Sequence, residues 1–173
     1  MFIDSGMEID PNGISMLLEH MEWYNADIIV GSKRHPASYV KYPIIRKILS
    51  YGYYYLVKLL FAIKIHDTQA GIKVFKRKTL EKILPRLLER QFAGDLEMLV
   101  AADTLGFRRI YEAPIKLDYH VGPVTTAATF NAIVGIFVDT LAIFYRKNVV
   151  GHYYKPGKKL VRPRSLQVKR SKV

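Results

Sequence analysis

The chain has 173 residues, half of them hydrophobic, with no cysteine and a formal net charge of +12. That length fits one domain or the larger part of one, the apolar share supports a core and leaves disorder only to the C-terminal end, and the lack of cysteine excludes disulfides, cysteine nucleophiles and cysteine metal sites. The charge is uneven: residues 146–173 hold ten Lys or Arg and no acid, while the remaining 145 carry 17 basic against 15 acidic groups, so the basicity belongs to a tail that attracts phosphate on anionic lipid or nucleic acid.

At the N-terminus, Met1 leads straight into Phe2-Ile3-Asp4 without the basic start and cleavage site of a secretory leader. Phe2-Ile3 reads as the last piece of a buried strand ending at Asp4. A central strand needs neighbours, so the expectation is an N-terminal half that is missing here or supplied elsewhere. Asp10-Pro11 opens a helix with Pro at an early position, and Ile14, Leu17, Leu18 and Met21 give it one apolar face. Asp27 to Val30 reads as a short buried strand stopped by Gly31. Strand, helix, strand is the order of an α/β sheet.

Ser32 to Pro43 reads as a polar, basic loop carrying Lys33, Arg34, His35 and Lys41, followed by a long, aromatic helix from Ile44 to Ile65. His66 to Gly71 is a loop and Ile72 to Phe75 a strand; Leu80 to Leu88 is helical, with Pro85 kinking or splitting it. Asp95 to Leu105 is a helix ending at Gly106, and Arg108 to Ile115 a strand whose Pro114 belongs at a sheet edge. Gly122 to Thr126 is a loop. Ala127 to Tyr145 is a final apolar helix, but Asn131 and Asp139 are costly at mid-membrane, so no segment plainly spans a bilayer.

Three stretches hold groups that can do chemistry. Asp4 stands at a strand's C-terminal end, where open α/β sheets bind ligands, with Glu8 and Asp10 close by. Hard oxygen ligands of this kind suit Mg²⁺ or Mn²⁺, although Glu8 and Asp10 serve equally to cap the following helix. Asp67-Thr68-Gln69-Ala70-Gly71-Ile72-Lys73 gathers a carboxylate, an amide and a cation around a glycine. Asp95-Leu96-Glu97 places acids at a helix start, where they also complement the helix dipole.

Taken together, five segments resemble the family 2 glycosyltransferases that act on polyisoprenyl phosphates, such as dolichyl-phosphate glucose and mannose synthases. FIDSGMEIDP is similar to the family's Asp-x-Asp metal segment, and ADIIVGSKRH to its strand followed by Gly-Ser-Arg. DTQAGIKVFKR resembles the most specific motif, Asp-Thr-Gln-x-Gly-Phe-Lys; FAGDLEMLVAA resembles Phe-Asp-x-Glu, and GFRRIYEAPIKLDYH the closing Glu-x-Pro strand. Two departures stand out. Gly6 replaces the second metal-segment Asp, with Glu8 where the family often has Gln, and the family's nucleotide-binding first half has no counterpart in this chain.

The resemblance implies an α/β fold, the C-terminal portion of a GT-A domain with an open, mostly parallel sheet flanked by helices. Residues 1–126 would form that partial domain, 127–145 an amphipathic membrane-interfacial helix and 146–173 a flexible basic tail. It further implies transfer of a hexose, with inversion, from a UDP- or GDP-sugar donor to a polyprenyl-phosphate acceptor at the cytoplasmic face of an anionic membrane surface. The implied roles are Asp4 and Glu8 for the metal, Mg²⁺ or Mn²⁺; Lys33, Arg34, Asp95 and Glu97 for substrate; and Asp67, Gln69 and Lys73 for catalysis, with Asp67 paired to Lys73 or a nearby arginine, or hydrogen-bonded to sugar hydroxyls. A non-catalytic fragment or partner subunit of such an enzyme is the rival reading. No nucleic-acid partner is expected, because the positive charge is terminal and not laid along an aromatic face.

Overall fold

The computed structural model describes residues 1–3, 11–41, 44–89, 93–118 and 130–157. Its centre is a four-stranded sheet of β1 (Phe2–Ile3), β2 (Ile28–Ser32), β4 (Ile72–Phe75) and β5 (Ile110–Pro114), in the order β1-β4-β2-β5. A second sheet pairs β3 (Tyr39–Lys41) with β6 (Lys116–Asp118). β2 and β5 run parallel, whereas β4 is antiparallel to both β1 and β2. The open α/β sheet expected from the sequence is present, and it is mixed where a mostly parallel one was anticipated. The reversal comes at β4, which begins at the end of the sheet where β2 finishes.

The apolar run of β2 is buried on both faces, as a central strand requires. Its side chains alternate: Ile28 and Val30 join one core cluster, Ile29 the other. Helix α1 (Ile14–Trp23) covers the Ile29 face through Leu17. Its neighbour Leu18, assigned above to the apolar face, is 47% exposed. Helices α2 (Ile44–Phe61), α4 (Gly94–Thr104) and α5 (Phe130–Asn148) pack on the other face through Val57, Phe61, Leu96, Leu99 and Ile143. α4 is apolar nearly all round and runs through the core.

Several boundaries differ from the sequence reading for identifiable reasons. Gly31 lies inside β2 and does not stop it. A Cβ there would sit 2.4 Å from Ile72 Cγ2 and 2.6 Å from Ile115 Cγ2, so glycine marks close packing across the strand. The Ser32–Pro43 loop contains β3, a strand too short to show a period. α2 ends at Phe61 because Ala62 turns left-handed (φ +52°). α3 (Arg77–Ile83) gives way to a 3₁₀ turn at Leu84–Arg86, where Pro85 removes an amide donor. Gly106 terminates α4 with φ +86°, as anticipated. The basic stretch from Arg146 begins as packed structure: Arg146 closes α5, and Tyr153, in a 3₁₀ turn at His152–Tyr154, is fully buried.

Helices α2 and α5 are joined by Tyr53, whose hydroxyl lies 3.1 Å from Thr140 Oγ1; burial pushes its phenol up to about 12. Each helix also carries a second apolar face that nothing covers among the described residues. On α2 this is Ile44, Ile48, Tyr55 and Leu59, spaced i, i+4, i+11 and i+15. On α5 it is Val134, Phe137, Val138, Leu141 and Tyr145. No helix among the described residues is long and apolar enough to cross a membrane.

Candidate active site

Strands β1, β2 and β5 end on one side of the main sheet, and β4 starts there. Ile3, the last described residue of β1, is registered with Ile72 at the start of β4. Lys33 and Arg34 leave the end of β2, and the Asp67–Gly71 loop enters β4 at the same edge. The carboxyl end of such a sheet is where side chains from several elements converge on a ligand.

Asp67 is nearly fully buried and held from two sides. Its carboxylate accepts the Lys33 amide at 2.9 Å and faces Lys33 Nζ at 3.6 Å. Its own amide, with that of His66, donates to Glu112 Oε1 at 3.0 and 3.1 Å. Glu112 Oε2 binds His66 Nδ1 at 2.7 Å. Glu112 thus clamps the loop that carries Asp67. The expected partner of Asp67 was Lys73 or an arginine. Lys33 takes that place because Lys73 is engaged one step further in, with Asp95 Oδ1 at 3.0 Å and the carbonyl of Ala70.

Lys73 is 1% exposed. Burial pushes its ammonium below the ordinary lysine range, while Asp95 and then Asp67 oppose that shift. A cation held against a dehydration cost is a strong attractor for any further negative charge that enters beside it. Lys33–Asp67 and Lys73–Asp95 are therefore two ion pairs at this edge, and the Asp67 charge also acts on Lys73. Gln69 lines the cleft beside Lys33 and Asp67, and its amide has no hydrogen-bond partner among the described residues.

Two of the anticipated substrate residues are committed elsewhere. Arg34 donates to the carbonyls of His66 and Ser50 and to Ser50 Oγ, and stacks over Tyr51 and Tyr54 at 4.7 and 4.9 Å. Only its Nε is left, the one buried side-chain nitrogen or oxygen without a partner among the described residues. Glu97 is fully buried and far from free. Oε2 accepts the amides of Leu88 and Glu89, both at 2.8 Å; Oε1 accepts Tyr153 Oη at 2.7 Å and Arg146 Nη1 at 3.1 Å. Four donors occupy its four acceptor positions. The assignment of Glu97 to substrate is corrected accordingly: it ties α4 to α5 and to the turn at Tyr153. Asp4 and Glu8 lie outside the described residues, and no cluster of His, Asp or Glu able to hold a metal occurs among the described ones.

No protein-family model matches the chain. It is 33% identical over 99 residues to a dolichyl-phosphate beta-glucosyltransferase of Dictyostelium discoideum, covering 56% of this chain and 30% of that protein. It is 35% identical over 86 residues to the Drosophila melanogaster enzyme of the same name, with 49% and 26% covered. An undecaprenyl-phosphate mannosyltransferase of Micrococcus luteus is 27% identical over 115 residues, with 65% and 46% covered. Over these stretches the chain is similar to polyprenyl-phosphate glycosyltransferases. It spans under a third of the length of the first two relatives. Its mixed, helix-flanked sheet is consistent with part of a GT-A domain.

Of the five segments that resemble the family's motifs, the structure brings three to one edge: the Lys33 loop, the Asp67–Lys73 loop and the Asp95 helix start. A fourth, the Glu-x-Pro strand, contributes Glu112, which the sequence reading assigned no role. His66 and Tyr54 were missed as well. Tyr54 stacks on the His66 ring at 5.7 Å, a contact between a helix and a loop that no local pattern encodes.

Proposed function

We propose that the cleft at Asp67 serves transfer of a hexose from a UDP- or GDP-sugar to a polyprenyl phosphate at an anionic membrane surface. The observation that carries this reading is the Lys33–Asp67 and Lys73–Asp95 ion pairs standing at the carboxyl end of the sheet, in segments that resemble the family's motifs. A phosphate monoester has a second pKa of about 6 and is largely dianionic at neutral pH, so it is already nucleophilic. Its oxygen attacks the anomeric carbon, the bond to the nucleoside diphosphate breaks, and the electron pair leaves on that diphosphate.

Lys33 and Lys73 supply positive charge where both phosphates meet. Asp67 fixes the Lys33 ammonium and is itself fixed by Glu112, which keeps that charge aimed and leaves Asp67 neutralised towards an anionic acceptor. Gln69 supplies a neutral amide for sugar hydroxyls. Asp4 and Glu8, in the segment that follows β1, are proposed to hold Mg²⁺ or Mn²⁺. Such a cation neutralises the departing diphosphate, and hard carboxylate oxygens are the ligands it takes.

The two uncovered apolar faces of α2 and α5 support the membrane part of the proposal. Amphipathic helices with Tyr and Leu outward and lysines beside them lie in the interface plane. The basic C-terminal residues add attraction to anionic lipid. The test uses vesicles of phosphatidylcholine and phosphatidylserine containing dolichyl phosphate, with Mn²⁺ and labelled UDP-glucose or GDP-mannose. Label moving into the organic phase supports the reading. A chain that binds the vesicles yet transfers neither sugar overturns the enzymatic reading in favour of a non-catalytic binding subunit.

A further inference from the structure

We propose that an open groove beside the cleft receives the head of an isoprenoid phosphate, with His66 Nε2 as the phosphate contact. This rests on the reading above and deepens it. The groove has a volume of about 400 Å³ and is lined by Tyr54, Lys58, Ala62, Ile63, Lys64 and His66. Sites for small ligands commonly measure about 300–1,000 Å³.

His66 is held in a fixed pose. Its amide and Nδ1 both bind Glu112, at 3.1 and 2.7 Å, and its ring lies on Tyr54 with the planes 24° apart. A carboxylate only accepts, so Nδ1 carries a proton and Nε2 presents a lone pair, or a second N–H when the ring is charged. Nε2 has no hydrogen-bond partner among the described residues. The ring lines the groove on one side and the Asp67 cleft on the other. A group placed there can share one proton with a phosphate oxygen in either state: the monoanion gives its O–H to Nε2, or the dianion takes N–H from it.

The charged and titratable neighbours decide the sign of the ligand. Glu112 from β5 is engaged by His66 itself, and Asp67 by Lys33. Arg34 follows β2 and holds the His66 carbonyl, Tyr54 and Lys58 come from α2, and Lys64 stands beyond its end. Among the described residues no acid lines the groove. Lys58 donates to Tyr54 Oη at 3.2 Å and stands near the end of α2, where a lysine is favourable without any ligand. The claim therefore rests on His66 and not on the lysines. The walls choose between free phosphate and a phosphate with an apolar tail. Tyr54, Ala62 and Ile63, with the methylene stems of the lysines, make an apolar trough under a basic rim. Ala62, left-handed at φ +52°, turns the chain so that this trough opens where α2 stops.

The experiment records long-range ¹H–¹⁵N spectra of the whole 173-residue chain, titrated in turn with inorganic phosphate, farnesyl phosphate and farnesol. The expected free tautomer has its proton on Nδ1. Farnesyl phosphate should shift Nε2 together with the Ala62 and Ile63 methyls. It should bind at least about tenfold tighter than inorganic phosphate, a gain that burying a few methylene groups supplies. His66→Phe keeps the ring on Tyr54 and should lower farnesyl-phosphate affinity about tenfold. The proposal is overturned if His66 nitrogens stay unmoved at saturation. It is equally overturned if farnesol binds as well as its phosphate, or if inorganic phosphate binds as tightly as farnesyl phosphate. The wild-type titration stands even if the variant fails to fold. Binding without sugar transfer leaves this inference intact and removes the transferase reading; transfer with an unresponsive His66 does the reverse.

Discussion

Replacing Glu97 separates a structural role from a substrate role, because the network around it predicts how much stability each variant loses. Glu97→Ala strips the acceptor from the amides of Leu88 and Glu89, from the buried Tyr153 hydroxyl and from Arg146. Burial, then Glu97, pushes the Tyr153 phenol above the ordinary tyrosine range, so it stays a donor and needs this acceptor. Breaking a buried ion pair costs about 3–5 kcal/mol. Arg146 keeps Glu89 as a second partner, which places the loss at the lower to middle part of that range, about 4 kcal/mol. For a chain of this size that is a fall in Tm of about 8–16 °C. Glu97→Gln still accepts both amides through its carbonyl oxygen but loses the charge facing Arg146, for about half the cost. Urea denaturation at neutral pH measures both. Two variants within about 0.5 kcal/mol of wild type, combined with lost nucleotide-sugar binding, would refute the structural assignment.

Lys73→Met should be neutral to about 1 kcal/mol stabilising at pH 7 while lowering ligand affinity, since Asp95 is open enough to be solvated alone. Burial depresses the Lys73 value below 10.5, so the unfolded chain holds more protons between the folded value and 10.5. Wild-type stability therefore rises with pH across that window, and the gap between variant and wild type closes; a gap that widens on alkalinisation contradicts this. Gly31→Ala puts a methyl within 2.6 Å of Ile72 and Ile115 side chains and should cost about 1–3 kcal/mol in denaturant unfolding, with m unchanged.

The strand–helix–strand order, the Asp67 loop and the Gly106 stop were legible because each rests on a local signal: an apolar run, a turn composition or a glycine after a periodic segment. The burial of the first strand was not: Phe2 and Ile3, expected in a buried central strand, are 41% and 43% exposed on β1 at the sheet edge. β3 and β6 were not, since three-residue strands carry no period and their parallel pairing joins residues 39–41 to 116–118. Glu97 shows the same limit at a site. Its helix-start position fits a substrate ligand and a structural clasp equally, and the deciding partner, Arg146, is 49 residues away. His66 and Glu112 stand 46 residues apart and become a pair only when β5 is laid beside β2. The exposed stripes of α2 and α5 were visible as apolar helices, but only the packing of Val57, Phe61 and Ile143 shows which face remains open.

The central claim is that Asp67 organises the positive charge at which sugar transfer occurs. Asp67→Asn keeps the shape and an acceptor for the Lys33 amide while removing the charge that holds Lys33 Nζ. The direct measurement is steady-state transfer from labelled nucleotide-sugar to dolichyl phosphate in vesicles, wild type against Asp67→Asn. The account predicts a loss of about tenfold or more in kcat, about 1.4 kcal/mol of transition-state stabilisation, with donor KM little changed. Wild-type turnover in the variant would contradict it and reduce the Asp67–Lys73 segment to a structural turn.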